Sequence, residues 1–208
     1  MKVSTVFIKQ KRNKNETNLP DIPLILSISA ILAGLISGML VYSFMKESLS
    51  AELLKVFISF FYDTTSKTEP EFISGLSVSI LPYIVMMFIF ALDLIGAPLA
   101  LIFTYFKTLA PTLLFSFLYC EYGLIGAEYV FIVLAAGEIT SLLGTLLICS
   151  STYRMSARMK EIYKAGKGEY PQEIRNFIPK FTVGTIIVIL SRLIIFITVT
   201  SFKDLFVF

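Results

Sequence analysis

Three residues in this sequence carry charge where charge is expensive. Lys107, Glu138 and Arg192 each fall near the middle of a long apolar run. At the centre of a bilayer a single such charge costs at least ~2.5–3.5 kcal/mol on insertion scales. Two cations and one carboxylate, on three separate runs at similar depth, are therefore expected to meet. Glu138 should pair with Lys107, with Arg192, or with both. Pro111 lies four residues after Lys107. Its ring removes the hydrogen bond that the Lys107 carbonyl would accept in a regular helix, so a kink is expected there. That kink would offer a backbone acceptor at the level of the charges. Two readings of the cluster stand open: an ionic staple that sets helix register, or a polar binding site or ion pathway.

Other chemistry is poorly supplied. The chain has no histidine, which removes His-dependent catalysis and most transition-metal sites. It also lacks a phosphate-cradling glycine loop, a metal-ligand cluster and paired carboxylates within one span. No catalytic residue, metal or cofactor is assigned, an enzyme is not expected, and no feature points to nucleic acid. Cys120 and Cys149 lie near ends of apolar runs that should face opposite sides of the membrane, which disfavours an intrachain disulfide.

The elements that must position the charges are helices in lipid. The chain is 208 residues long, 56% hydrophobic and 16% charged, too apolar for a water-soluble domain of this size. A hydrocarbon core about 30 Å thick needs about 20 apolar residues in a helix. Five runs qualify: Ile22–Met45, Phe72–Leu92, Ala97–Tyr119, Leu124–Ser151 and Phe181–Phe202. The first follows a basic leader, Met1–Asp21, but is too long for a signal-peptide core and is read as a retained anchor. Between the first two runs, Ser50–Asp63 places Glu52, Lys55, Ser59 and Asp63 at helical spacing among apolar residues. That pattern suggests an amphipathic helix along the outer interface. The expected fold is a single all-α integral membrane domain: a polytopic bundle of about five transmembrane helices plus that interfacial helix.

Basic residues orient it. Twelve of the 18 lysines and arginines lie on the side of the leader and the Thr152–Lys180 loop, four lie opposite, and two are inside spans. This bias places the amino terminus in the cytoplasm and the carboxyl terminus outside. In the basic loop, Arg154, Arg158, Lys160, Lys164 and Lys167 would contact anionic lipid. Arg154 and Arg158 should extend the fourth helix. A second short helix is expected to run to Pro179. Small residues mark packing faces: Ala30, Gly34 and Gly38 on the first span, and Gly137, Ser141 and Thr145 on the fourth.

The order of segments resembles the stage II sporulation protein M family over most of the chain. The shared features are the basic leader and anchor, the outer stretch ending Ser-Phe-Phe-Tyr-Asp (Ser59–Asp63), and the serine-rich Phe72-Ile-Ser-Gly-Leu-Ser-Val-Ser79. They continue with Gly96-Ala-Pro98, Phe106-Lys107, the Gly-Leu-Ile-Gly run at Gly123–Gly126, and Gly137-Glu138. Members usually carry glycine where Thr108 follows Lys107 here, and often proline where this chain has Ala135-Ala136. The resemblance implies a non-enzymatic membrane scaffold that holds the peptidoglycan-degrading sporulation proteins D and P at the septum during engulfment. The rival class is a small transporter or permease subunit with its polar site at the bilayer midplane.

The orientation is directly testable. Reporter fusions within Arg154–Lys180 should read out as cytoplasmic, and an exterior signal there would overturn the topology.

Overall fold

The computed structural model describes residues 21–45, 69–165 and 170–202. The leader up to Pro20, the Ser50–Asp63 stretch and Lys167 lie outside the described residues. Within them the fold is the expected all-α bundle. Helix α1 spans Ile22–Met45, α2 Glu69–Leu92 and α3 Gly96–Tyr129. A π-helical turn, Val130–Leu134, leads into α4, Ala135–Ala165, and α5 spans Tyr170–Phe202. Four stretches are long and apolar enough to cross a bilayer: Ile22–Phe44, Gly96–Cys120, Tyr122–Met159 and Ile174–Phe202. A shorter apolar stretch, Ile80–Leu92, ends α2. The chain is a multi-pass membrane protein.

Lipid as solvent turns the usual burial pattern around. Large apolar side chains cover the outside; Phe44 is 83% exposed, and Leu124 and Phe131 are each 77% exposed. The interior mixes apolar side chains such as Met87, Ile148, Val188 and Ile195 with many hydroxyls, among them Ser27, Thr104, Thr108, Thr112, Ser141, Thr145, Thr152 and Ser191. Most of those whose bonds are resolved turn back onto their own helix. Ser27 Oγ donates to the Pro23 carbonyl at 2.7 Å, Thr112 Oγ1 to Thr108 at 3.1 Å and Ser191 Oγ to Val188 at 2.7 Å. A hydroxyl satisfied in this way can sit against a neighbouring helix without an unmet polar group.

Helix α4 is the hub and touches every other helix. Its junction with α5 closes through glycine on both sides. A Cβ at Gly144 would lie 2.9 Å from the Gly184 carbonyl oxygen, and one at Gly137 2.9 Å from that of Ser191. The α1–α3 junction closes through Gly34 and Gly38. A Cβ at Gly34 would meet the Thr108 hydroxyl and come within 2.6 Å of the Tyr105 carbonyl oxygen. The Thr108 hydroxyl also reaches across to the Ile31 carbonyl at 3.4 Å. The small-residue stripes thus pack helices of this chain against one another.

Two local features differ from the sequence-based expectation. The dihedral break in α3 falls at Gly123 (φ 60, ψ −131), while Pro111 keeps helical dihedrals. Pro111 still removes one backbone donor, but the chain folds back at the residue for which positive φ costs least. No break occurs at Pro179, which lies inside one continuous α5. Pro171, by contrast, sits in the first turn of α5, where a missing N–H is harmless. The α2–α3 turn needs a third helix to hold it. Ser156 Oγ on α4 donates to the Asp93 carbonyl at 2.7 Å and accepts the Ala97 N–H at 2.8 Å.

Enlarging Gly34 tests this packing. Gly34→Val should destabilise the folded protein by about 1–3 kcal/mol through overpacking. Ala33→Val, on the exposed face of the same helix, should change it by no more than about 0.5 kcal/mol. Thermal unfolding in detergent, followed by size-exclusion chromatography, measures both, and equal midpoints would refute the α1–α3 contact.

Candidate functional site

The intramembrane charges stand on three consecutive helices: Lys107 on α3, Glu138 on α4 and Arg192 on α5. Lys107 is eleven residues into the apolar stretch that begins at Gly96, or about 16 Å along the axis. That distance is about half the thickness of a bilayer core about 30 Å thick.

Glu138 contacts Arg192. Arg192 Nη1 lies 3.6 Å from Glu138 Oε1, and the two side chains are only 11% and 8% exposed. The distance is that of an ion pair slightly beyond hydrogen-bond length. At such burial the mutual attraction is strong, because little water screens it.

Lys107 is held by neutral groups. Its Nζ donates to Thr145 Oγ1 on α4 at 2.7 Å and stands 3.8 Å from the centre of the Tyr83 ring on α2. An ammonium over an aromatic face at that distance gains a cation–π attraction, larger when water is excluded. The Tyr83 ring is itself fixed by stacking on Phe103, with centroids 5.9 Å apart. Its hydroxyl lies 3.5 Å from Thr104 Oγ1, with the Thr145 side chain also close by. The Thr104 hydroxyl and Ser27 in turn border the buried Cys149. Polar side chains from α1, α2, α3 and α4 therefore run together through the bundle interior.

The π-helical turn aims Glu138. The Ala135 N–H bonds to the Val130 carbonyl, five residues back. Such a bulge inserts one residue and rotates the downstream helix by roughly 100° relative to a continuous α-helix. Glu138 begins the next turn. The bulge is held from α5, where Thr198 Oγ1 donates to the Val133 carbonyl at 2.7 Å. Thr198 and Arg192 thus grip the π-turn and the first turn of α4 from one neighbouring helix.

Of the other residues singled out in the sequence, Gly137 packs on Ile195 and Ser141 is buried. Thr145 carries the acceptor for Lys107 as well as a packing role. Ala30 is half-buried, beside the close-packed Gly34 and Gly38. Arg154 forms an ion pair with Asp21 at the start of α1 and is 42% exposed. It ties α4 to the start of α1. Arg158 is exposed one turn further along. Lys160 and Lys164 lie on α4, but their side chains fall outside the described residues, as does Lys167. Tyr83, Thr198 and Ser156 have no distinctive sequence pattern. Only the fold brings them to these contacts. Among the described residues no three His, Cys, Asp or Glu side chains gather as a metal ion would need. No protein-family model, curated protein or solved structure matches the chain.

The Glu138–Arg192 contact can be weighed by a double-mutant cycle. Glu138→Gln should destabilise the protein by about 3–5 kcal/mol, because it leaves a buried guanidinium uncompensated. Glu138→Leu combined with Arg192→Leu should recover much of that loss. A Glu138→Gln protein with wild-type unfolding behaviour would show that the ions are not coupled.

Proposed function

We propose that this chain is a non-enzymatic membrane scaffold that holds peptidoglycan-degrading proteins on the outer side of a bacterial cell membrane. The observation that carries the reading is the way the intramembrane ions are held. Glu138 meets Arg192, and Lys107 meets Thr145 and Tyr83. Each contact joins two helices, and the surrounding junctions are closed by backbone-to-backbone approach at glycine. Charges held in this way act as ties that set register, which is what a rigid platform requires.

The identity of the cargo rests on the resemblance to the stage II sporulation protein M family. By that resemblance the cargo is the pair of sporulation proteins D and P, and the place of action is the septum during engulfment. The positive-inside bias puts the amino terminus in the cytoplasm and the carboxyl terminus outside. Ser50–Pro70 then lies on the outer face, where wall-facing proteins would dock. The basic segment after Tyr153, the end of α4 and the start of α5, lies against the anionic inner leaflet and keeps that orientation.

Affinity purification from sporulating cells tests this proposal. The wild-type chain should bring down the wall hydrolases. Replacing the polar residues of Ser50–Pro70 should remove them while membrane insertion survives. Unchanged recovery would place docking elsewhere, and no hydrolase with the wild type would end the scaffold reading.

A further inference from the structure

The outer end of the bundle carries apolar side chains that the described helices do not cover. The inner ends of α2, α3 and α4 are level, because Ser156 Oγ bonds both the Asp93 carbonyl and the Ala97 N–H. Leu118 stands twenty-one residues after Ala97, or about 31 Å along α3. That rise matches the whole hydrocarbon core, so the turn at Gly123 lies at its outer edge. The chain returns at the same height, since a Cβ at Gly126 would overlap the Leu118 carbonyl oxygen. Around this turn Tyr119, Tyr122, Leu124 and Ile125 are between 42% and 77% exposed. Tyrosine is at home at a bilayer edge. Leu124 and Ile125, side by side at the level of headgroups and water, are not.

One stretch of the chain is delivered to this turn. Helix α1 runs beside α3 all the way out: Gly34 faces Tyr105 and Thr108, Gly38 faces Leu109 and Thr112, and Tyr42 clusters with Leu109, Leu113 and Phe117. By the same register Met45, the last residue of α1, ends near Tyr119. Residues 46–68 then lead to Glu69, at the outer end of α2. The chain from Met45 to Ser50 reaches at most about 17 Å, which keeps Ser50–Asp63 close to the turn. At helical spacing that stretch sets Leu53, Phe57, Phe60 and Phe61 opposite Glu52, Lys55, Ser59 and Asp63. A face so apolar, tethered beside an uncovered apolar turn, meets it at high effective concentration.

We propose that the apolar face of Ser50–Asp63, centred on Phe57, seats on the Gly123 turn against Tyr119, Tyr122, Leu124 and Ile125. The seat covers the turn and ties the α1–α2 connection to the end of α3. It also turns Glu52, Lys55, Ser59 and Asp63 outward. The inference specifies how the outer surface of the scaffold reading is presented, but its geometry does not depend on which protein docks there.

The experiment uses the full-length protein in lipid nanodiscs, with the exposed native Cys120 beside the turn as one handle. A second cysteine is introduced singly, as Phe57→Cys, Phe60→Cys, Lys55→Cys or Ser59→Cys. A short bismaleimide is added, and peptide mass spectrometry reads the intramolecular product. Phe57→Cys and Phe60→Cys should cross-link to Cys120 several-fold more than Lys55→Cys and Ser59→Cys, and Cys120→Ser should abolish the product. Leu124→Asp with Ile125→Asp, both at exposed positions, should reduce the yield several-fold at an unchanged size-exclusion profile. If that double variant does not fold, the contrast between the two faces of Ser50–Asp63 on the otherwise native chain decides alone. Equal yields at all four positions, or no product, overturn the proposal. A bimane at Phe57→Cys quenched by nitroxide lipids would then place the segment on the bilayer surface instead. Cross-linking that persists while wall hydrolases fail to co-purify would support the seat and sink only the scaffold reading.

Discussion

Lipid cannot hydrate an ion or a peptide group, and most of this architecture follows from that constraint. Backbone polarity is consumed by helices, and side-chain polarity is moved to the bundle interior. The hydroxyl-rich interior and apolar exterior are two sides of one requirement. A water-soluble bundle gains most from burying Leu and Phe. Here those side chains gain little by leaving lipid, and cohesion comes from close packing and polar contacts. Gly34, Gly38, Gly137, Gly144 and Gly184 matter because they let carbonyls, threonines and serines on facing helices come within reach.

Much of this was legible in the sequence. Apolar runs gave the helices, because the length of a span is set by bilayer thickness and not by tertiary context. The small-residue stripes gave the packing faces for a similar reason: at four-residue spacing only one face of a helix can present them. The depth of Lys107, Glu138 and Arg192 also gave a region where something had to happen. The division of contacts within that region was not legible. Two cations compete for one carboxylate, and the choice depends on rotation of α4 about its own axis. The π-turn at Val130–Leu134 sets that rotation, and no residue type in Val-Phe-Ile-Val-Leu announces it.

The prolines show the same limit. A proline always deletes a donor, yet whether the helix bends depends on what packs around the freed carbonyl. Pro111 is buried between neighbouring helices and keeps helical dihedrals, whereas exposed Gly123 turns the chain. Thr108 shows how a small polar side chain answers a glycine on the facing helix. Its hydroxyl and Cβ fill the space that Gly34 leaves, and it bridges to Ile31 across the α1–α3 junction.

The order of the charges along the chain bears on how the protein is made. Lys107 leaves the ribosome first, Glu138 follows, and Arg192 comes last. As each span is released into the bilayer, the running charge at mid-depth goes from +1 to zero and back to +1. Had both cations preceded the acid in this order, a nascent intermediate would have carried +2 with no carboxylate yet synthesised. Placing the acid in the middle helix keeps every stage of biogenesis within the cost of a single stranded charge.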